Sequence, residues 1–551
     1  MPLAQELTVL FLDGPSTALL DAGLRALNTL SPDSPDATIL ALLIGDIYRC
    51  LGKLDSALRF YRRATAHTKG QEIRLEALER YQATMQQLGV THLAREQQRW
   101  PALVAEQDYH MLDMTVLTSM QRFTLIEDAK RILLIEHCHL KSVVVTQICT
   151  TLAQKCTDER NVRRYLAEDE SVFIIGDIHG SAADLLTLFD LFALRDVYTH
   201  CQVSDAHALR PTLDAIYVFL GDYVDRGPYG VQCFVFLSIL KLMYPYNFVL
   251  LRGNHECRAL NSIYGFEREA RNVYGRDNPV YEAIQRAFAS LPFFCELTFL
   301  PSSIYDACLS LVLTQRSGTD AYTPNYGILS RASAMNHFLS HTVDDQDEEG
   351  ARILAQIDDE SIRVFCCHGG APCIYTCLCT QGSSQIRVEK YENIIQRTMG
   401  IIDPIAAELT WNDPLSTEFE PAEGFMPSQR RLGYLYGYSL FHKWCTYNKI
   451  HVLFRGHEFA AEGLRHDFSA NNKHRAFEYL HTFTASELRQ RPEHFTVFSA
   501  SAYEEADNNG AVAELSYSFS LPTDSTNVDA STRTDMSKGS PRLNVQYHPS
   551  S

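Results

Sequence analysis

The sequence predicts an α/β (α+β) domain preceded by an all-α region. Helical periodicity with few β-branched runs extends to about residue 165, and from Ser171 to about Phe519 short apolar, β-rich runs alternate with helical segments. With 551 residues, the chain is long enough for two or three domains. Residues 521–551 are polar, with nothing to bury, and are predicted to be a disordered tail.

The composition argues against several classes of partner. The chain is 46% hydrophobic and 21% charged, which is typical of a globular protein. A net charge of −18 argues against nucleic-acid binding, which needs a basic face, and against a polybasic membrane surface. The sequence contains no apolar run of about 18 residues and no positively charged N-terminal signal region, so we expect no membrane span and no secretory signal. Fifteen cysteines without framework spacing indicate reduced thiols and a cytoplasmic location, with the nucleus as a second one.

The N-terminal region, residues 1–105, contains a candidate repeat. Small and aromatic residues follow one another at spacings that would let two helices approach closely: Gly45, Tyr48, Gly52, Ala57, Tyr61 and Ala64. This pattern resembles the tetratricopeptide (TPR) motif, a helix–turn–helix unit of about 34 residues. A generic amphipathic helical hairpin is the alternative. Residues 106–165 are predicted to be a helical linker to the next domain.

Six apolar runs in the second region each end in a loop of polar or ionisable residues. Short runs of this type predict buried strands, and loops at strand ends are where sheet-based α/β proteins bind ligands. The predicted strands are 172–175, 216–220, 248–251, 362–366, 450–454 and 495–498. The loops that follow them read GDIHG, GDYVDRG, RGNHE, CHGG, RGHE and SASAY.

The residue types in these loops suit divalent cations. Asp, Asn and His supply oxygen and imidazole ligands, and the neighbouring glycines allow close backbone approach. One carboxylate can bridge two metals, and two metals about 3.5–4 Å apart suit in-line displacement at phosphorus. Asp and His at a single strand end are more often caps or turn formers, but all these loops together favour a metal site.

The ordered motifs GDIHG, GDYVDRG, RGNHE, CCHGG and RGHE resemble those of the PPP-type serine/threonine protein phosphatases. The later segments WNDP, SQRRLGYLYG and FSASAY also resemble motifs of this family. The resemblance implies a metallophosphatase β-sandwich flanked by helices over residues 166–520, with insertions at about 197–212 and 301–360. Together with the repeat region, the organisation is similar to that of the type-5 branch.

The resemblance also implies a dinuclear metal site. Asp177 and His179 would hold the first metal, and Asp222 would bridge both. The second metal would be completed by three further residues, Asn254, His368 and His457. The implied cofactors are two divalent ions, manganese in vitro and iron or zinc natively. A hydroxide that bridges them would attack phosphorus directly, without a phosphoenzyme.

Five further residues receive roles from the same resemblance. Arg226 and Arg430 would grip the phosphate oxygens, for which guanidinium geometry is suited. His255, oriented by Asp225, would protonate the leaving oxygen. Tyr503 would close one wall of the site.

The chain departs from the family pattern in two loops. The family's SAPNYC is replaced by Ser499–Glu504, so we expect a differently shaped or charged loop around a retained Tyr503, and toxin sensitivity is open. Arg431 replaces a family glycine, which either adds a cation near the phosphate or opens the turn. The insertion at 301–360 carries the acidic run 344–349, either a solvated loop or a lobe that selects basic phosphosites.

The leading hypothesis is a protein serine/threonine phosphatase that acts on phosphoproteins and is regulated or targeted by its N-terminal TPR-like region, through protein partners or autoinhibition. Chaperone binding has weak support, because the residues around Leu42 and Asp46 lack the Lys, Arg and Asn clamp of chaperone-binding repeats. One alternative is a related metallophosphoesterase acting on dinucleoside polyphosphates. Another is a TPR scaffold whose phosphatase fold is inert.

Overall fold

The chain divides into two units, Met1–His110 and Met111–Ser551. The fold is given by a computed structural model, which describes residues 17–27, 30, 35–50, 57, 60–61, 64, 80, 125–159, 162–166, 170–188, 215–301, 304, 361–372, 391, 395, 397–415, 424–468, 480–506, 508–520 and 540–549. The predicted insertion at 197–212, and that at 301–360 apart from Pro301 and Ile304, lie outside these ranges. So does the acidic run 344–349.

The first unit contains helices α1 (Thr17–Leu27) and α2 (Pro35–Cys50), which pack through buried aliphatic side chains. The close approach that the small residues predict is present at Gly45, where a Cβ would lie 2.6 Å from the ring of Tyr61. The hydroxyl of Tyr61 donates to the buried carboxylate of Asp46 at 2.6 Å, and Arg80 pairs with the same carboxylate. The described residues therefore form a packed helical unit, whereas a complete array of repeats would extend beyond them.

The second unit contains two six-stranded mixed sheets. The first has the order β1-β5-β6-β10-β13-β11 and the second the order β12-β15-β14-β2-β3-β4. Their strands are β1 Arg163–Leu166, β2 Ser171–Ile175, β3 Ala215–Phe219, β4 Phe248–Leu250, β5 Phe294–Phe299, β6 Ile362–Cys367, β10 Val452–Arg455, β11 Leu464–Asp467, β12 Leu480–Thr484, β13 Glu493–Val497, β14 Ala511–Ser520 and β15 Ser540–Pro549. A small third sheet is formed by β7 Asp413–Pro414, β8 Phe425–Pro427 and β9 Tyr434–Tyr436.

The two large sheets share one core, which makes the domain a β-sandwich as the sequence predicts. Val172 and Val218 of the second sheet belong to the same buried cluster as Leu297, Val364 and Phe454 of the first. Alternate residues of the first sheet, Phe365 of β6 among them, form a second cluster with aromatic side chains from outside the sandwich, such as Trp444 of the helix Tyr438–Asn448. Strands buried on both faces read as continuous apolar runs, which is why the sequence shows no alternation there.

Each sheet contains a set of three neighbouring parallel strands, and all six predicted strands are in these sets. In the second sheet β2, β3 and β4 are parallel, and in the first β6, β10 and β13 are parallel. A bridge between Asp177 and Phe498 links the ends of β2 and β13. Because the carboxyl ends of parallel strands meet at one edge, the six loops come together at one end of the sandwich.

Helices cover the sandwich outside the shared core. Those that the structure describes are the π-helix Lys130–Ile135, α3 Ser142–Asp158, α4 Ala182–Leu188, α5 Gly230–Met243, α6 Arg258–Tyr264, α7 Phe266–Tyr274, α8 Val280–Ser290, α9 Pro404–Trp411, α10 Tyr438–Asn448 and α11 Ala485–Gln490. Every residue of helix α5 is buried, including the polar Gln232, Ser238 and Lys241. Local capping fixes two of the starts: the Asp403 carboxylate accepts from Ile405 N–H before α9, and Thr484 and Glu487 form a capping box at α11.

The predicted helical linker at 106–165 is wrong for its last part. Helix α3 packs against α8 and α5, and Arg397 donates to the carbonyl of Cys156 at 2.8 Å. Strand β1 then pairs in parallel with β5. These residues therefore belong to the sandwich domain, because their apolar face is buried against distant helices that periodicity alone does not identify.

The predicted disordered tail is also wrong for its last part. Strand β15 lies between β14 and β12 and pairs antiparallel with both. Leu543, Val545 and Tyr547 alternate along it and face the shared core. The prediction rested on the polar composition of the segment, which the residues between these three dominate. The alternation of apolar and polar residues, which is typical of a half-buried strand, was overlooked.

Glu159, directly after α3, stabilises the domain through two buried cations. It accepts from Lys241 at 2.6 Å and from Arg164 at 2.7 Å, and the Lys241 side chain is only 1% exposed. Burial opposes ionisation of Glu159, but Lys241 and Arg164 outweigh it and lower the pKa of the carboxyl to about 2. The carboxylate therefore stabilises the folded state above the unfolded pKa of about 4.5, and this contribution is lost as the pH falls toward 2.

We expect Glu159→Gln to lower the free energy of unfolding by about 3 kcal/mol at pH 7, because it leaves two buried cations without their anion. Urea unfolding at pH 7 and pH 3 measures this effect, and the gap between wild type and variant should narrow at pH 3. Glu282→Gln is the matched control, since its pair with Arg258 is exposed and should contribute less than about 1 kcal/mol. Equal destabilisation by both variants would contradict the role of burial.

Candidate metal centre

The loops after β2 and β3 are bound to each other through their backbones. The N–H groups of Ile178 and His179 both donate to the carbonyl of Asp222, at 3.1 and 2.9 Å. His179 and Asp222 have positive φ angles of 46° and 55°. A non-glycine residue in this conformation costs on the order of 1 kcal/mol and persists where the surroundings impose it, as at functional sites.

Asp177, His179 and Asp222 form the first group of potential ligands. His179 Nε2 lies 3.8 Å from Asp177 Oδ2 and 3.7 Å from Asp222 Oδ2. His179 Nδ1 lies 3.1 Å from the carbonyl of Val224, which fixes the ring. All three side chains are at most 5% exposed.

Asp222, Asn254, His368 and His457 form the second group. His368 Nε2 lies 3.3 Å from Asp222 Oδ2 and 2.9 Å from Asn254 Oδ1. His457 joins Asp222 and His368 in a set whose ligand atoms all lie within 4.8 Å of one another. The structure thus brings together the six residues that the sequence predicts for the metals, with Asp222 shared between the two groups.

Two glycines make this approach possible. A Cβ at Gly253 would overlap the carboxylate of Asp222, and a Cβ at Gly456 would overlap that of Asp177. Any side chain at either position would displace a carboxylate oxygen. These glycines of RGNHE and RGHE therefore keep the space in which the carboxylates lie.

The chemistry of the donor set fits divalent cations. Two buried nitrogens, Nδ1 of His368 and Nε2 of His457, have no hydrogen-bond partner among the described residues. Burial lowers the pKa of His179 to about 4 and that of His457 well below its usual value, so both are neutral imidazoles that can act as ligands. Burial, with Asp222 adding to it, raises the pKa of Asp177 to about 7. A bound cation would offset the cost of burying these carboxylates.

His255 and Asp225 form a buried pair beside the first group. His255 Nδ1–H donates to Asp225 Oδ2 at 2.8 Å. Burial alone would lower the pKa of His255, but the carboxylates of Asp222 and Asp225 outweigh it and raise the pKa. Asp225 also accepts from Asn261 at 2.9 Å and from Phe266 N–H at 2.8 Å. The ligand atoms of His255, His179 and Asp222 all lie within 4.8 Å of one another. The geometry therefore permits His255 to be either a metal ligand or a general acid.

The two predicted phosphate-gripping arginines lie on different elements of the domain. Arg226 follows β3 and stacks on the ring of Tyr264 at 4.0 Å from its centre. Arg430 lies in the loop between β8 and β9, and its Nε donates to Asp413 at 3.1 Å. Asp413 Oδ1 also lies 3.9 Å from His457 Nε2, so this carboxylate connects Arg430 to the second group.

Arg431, at the family glycine position, adopts φ 66°. Arg431 N–H donates to the carbonyl of Ser428 at 3.2 Å, and Gly433 is also at positive φ, so the segment is a closed turn and the alternative of an opened turn does not hold. The exposed Arg431 adds a positive charge beside Arg430.

The loop that carries Tyr503 is held by hydrogen bonds on both sides of Ala502. Ser501 donates to the buried carboxylate of Asp184 through both its N–H, at 2.9 Å, and its hydroxyl, at 2.6 Å. Tyr503 N–H donates to Asn508 Oδ1 at 2.8 Å. The ring of Tyr503 lies 5.1 Å from that of His179, centre to centre, so the residue lies beside the first group.

Three supporting residues were not predicted. Glu256 accepts the backbone N–H groups of Asp222, Tyr223 and Gly253, at 2.8 to 2.9 Å. Asn261 fixes Asp225, and Arg455 donates to Asp413 at 2.6 Å. Glu256 and Arg455 lie inside the RGNHE and RGHE motifs, and this position could have identified them as supporting residues. Asn261 lies outside the motifs, and nothing in the sequence indicated its role.

The fold and the site together define a metallophosphoesterase: a mixed β-sandwich with Asp, Asn and His side chains gathered at the carboxyl ends of its parallel strands. The chain belongs to the calcineurin-like phosphoesterase family, whose model matches residues 171–460. Within the described ranges, no helix is both long and apolar enough to cross a bilayer.

Several curated relatives are similar over the same part of the chain. The serine/threonine-protein phosphatase PP2A-like PPG1 of Saccharomyces cerevisiae is 27% identical over 333 residues, which cover 59% of this chain and 65% of the relative. Its Candida albicans counterpart is 27% identical, over 58% of this chain and 53% of the relative. The chain thus spans about two-thirds of the length of the Saccharomyces cerevisiae relative and about half of the length of the Candida albicans relative. The serine/threonine-protein phosphatase 6 catalytic subunit of Caenorhabditis elegans is 27% identical, covering 58% of this chain and 68% of the relative.

Among solved structures, a protein serine/threonine phosphatase from Saccharomyces cerevisiae with similarity to human phosphatase PP5 aligns with a TM-score of 0.44 and 21% identity. The alignment covers 70% of this chain and 88% of that one.

Proposed function

We propose that this protein hydrolyses phosphoserine and phosphothreonine in proteins at a dinuclear metal site. The observation that carries the proposal is the position of Asp222, a buried carboxylate between His179 and His368, at 3.7 and 3.3 Å from them. A single carboxylate shared by two ligand groups is what a two-metal site requires. Serine/threonine phosphatases among the similar proteins support the same reaction.

The proposed first site consists of Asp177, His179 and Asp222, and the second of Asp222 with Asn254, His368 and His457. When bound, two divalent cations supply an acidified water as nucleophile and positive charge at the phosphate. Iron or zinc natively, and manganese in vitro, would suit these mixed imidazole and carboxylate ligands.

The protein groups perform the remaining steps. Arg226 and Arg430 bind the phosphate oxygens and orient the phosphorus, and Asp413 holds Arg430 in position through the 3.1 Å hydrogen bond. His255 holds a proton on Nε2 and transfers it to the leaving serine or threonine oxygen, while Asp225 fixes the ring through Nδ1. Tyr503 covers the site beside His179.

The decisive test compares substrates on the Mn²⁺-loaded protein. We expect release of phosphate from a phosphoserine peptide and no hydrolysis of diadenosine tetraphosphate. The opposite result would favour a dinucleoside polyphosphate hydrolase. Two bound metals per chain with no turnover of either substrate, or of p-nitrophenyl phosphate, would instead support a scaffold with an inert phosphatase fold.

We further propose that the N-terminal helical unit is TPR-like and regulates or targets the phosphatase domain through protein partners. The close contact of Gly45 with Tyr61 supports the repeat interpretation. Chaperones are poor candidate partners, because Asp46 is an anion where a chaperone clamp needs Lys, Arg or Asn. Its buried carboxylate already pairs with Arg80 and Tyr61.

Removing residues 1–110 tests the regulatory role. We expect basal turnover of a phosphoserine peptide to rise severalfold, because the unit is proposed to limit access to the site. The truncation ends at the boundary between the two units, so α3 and the Glu159 ion pairs remain. The matched control is the full-length chain cleaved between the two units, with the N-terminal unit still present in the assay. Unchanged kinetics after removal of residues 1–110 would contradict a regulatory role and leave targeting as the role of the unit.

A further inference from the structure

Glu504, in the loop that carries Tyr503, pairs with Arg226, the predicted phosphate-binding arginine. We propose that Glu504 is a specificity-determining residue that makes this site select phosphorylated residues flanked by basic side chains. The inference rests on the proposed function, because it assumes that Arg226 binds the substrate phosphate.

The pair places an anion on Arg226 before any substrate arrives. The Arg226 guanidinium is fixed between two groups, since it stacks on Tyr264 and Glu504 Oε1 accepts from its Nη1. Its side chain is 28% exposed and that of Glu504 is 52% exposed, so the carboxylate lies at the mouth of the site. A phosphate that reaches this guanidinium must share it with Glu504 or displace the carboxylate.

The loop presets the carboxylate in this position. Ala502 and Glu504 have φ angles of 46° and 49°, a left-handed conformation that non-glycine residues rarely adopt. Ser501, bonded to Asp184, and the Tyr503 N–H, bonded to Asn508, fix the loop on either side of Ala502. The backbone from which the Glu504 side chain extends is therefore held in place beside Arg226.

A bound phosphate would place its negative charges beside Glu504. Two anions that contact one guanidinium repel each other, and a Lys or Arg next to the phosphorylated residue would remove the repulsion by pairing with the displaced carboxylate. Arg226 is the cation that pairs with Glu504, and it cannot neutralise the displaced carboxylate while it binds the phosphate. The site therefore binds a basic-flanked phosphopeptide better than a neutral one.

The test compares two non-hydrolysable phosphonate peptides, identical except that Arg or Gln stands on both sides of the phosphonate residue. Their affinities for the Mn²⁺-loaded full-length protein are measured by fluorescence anisotropy. Because the net charge of −18 attracts any cationic peptide, the readout is the change in the Arg-to-Gln affinity ratio between variants. Turnover of the matching phosphoserine peptides is measured in parallel.

We expect Glu504→Gln to reduce the affinity ratio about two- to fivefold, the range typical of exposed charge pairs. Glu504→Lys should reduce it further, and added salt should shrink the difference between wild type and Glu504→Gln. Glu282→Gln is the matched control: it removes one charge from an exposed Arg–Glu pair that contains none of the site residues and should leave the ratio unchanged.

An affinity ratio that is the same in wild type and Glu504→Gln would overturn the inference, as would a failure of wild type to bind either peptide. A ratio that depends on Glu504 without turnover of the phosphoserine peptides would support the inference and reject the proposed hydrolysis. Failure of the specificity inference and failure of the proposed hydrolysis are thus distinguishable outcomes.

Discussion

Asp222→Asn is expected to abolish metal binding and turnover together. The Asp222 carboxylate lies within 3.7 Å of both His179 and His368, and an amide lacks the charge and the second oxygen ligand that bridging requires. Turnover of a phosphoserine peptide should fall by about 10³-fold or more, since both cations depend on this residue. Metal content by elemental analysis and initial rates at saturating Mn²⁺ measure the two effects.

The fold should survive this change. The amide oxygen of the substituted side chain could still accept the backbone N–H of His255, which donates to Asp222 Oδ1 at 2.9 Å in the wild type. Asp403→Asn is a matched control, because Asp403 caps α9 and asparagine is an equally good N-cap. A variant at Asp222 that retains two metals per chain would refute the bridging role.

The sequence predicted those parts of the site that depend on local pattern. A run such as Val172–Ile175 is apolar because both faces of its strand are buried, so its position and its end could be placed without a structure. The loops after five of the six predicted strands carry the proposed ligands in short motifs. Asp177, Asn254 and His457 therefore came from the sequence, and the parallel pairing that brings them together follows from the sheet architecture.

The sequence did not predict features that depend on residues far apart along the chain. Strand β15 is a strand because β14 and β12 lie on either side of it, and α3 is part of the domain because α8 covers its apolar face. Arg226 and Glu504 are separated by 278 positions, so no local pattern connects them. The same holds for Asp184 and Ser501, which are 317 positions apart and whose hydrogen bond holds the Tyr503 loop.

His255→Asn is expected to retain both metals while losing most of the turnover of a phosphoserine peptide, by about 10²- to 10⁴-fold. Asparagine cannot deliver a proton to the leaving oxygen, whereas the six proposed ligands remain unchanged. The loss should be much smaller on p-nitrophenyl phosphate, because nitrophenolate leaves without protonation. The ratio of the two rates therefore separates a lost acid from a general disturbance of the site.

Metal content is the second readout, because His255 lies within ligand distance of His179 and Asp222. Its Nδ1–H is bonded to Asp225, so Nε2 is the only nitrogen that remains for either a proton or a cation. A variant that loses one metal, with equal losses on both substrates, would make His255 a ligand and leave the reaction without an assigned acid. Retained metal with a loss confined to phosphoserine would establish the acid, and His442→Asn, a surface imidazole on α10, should change neither readout.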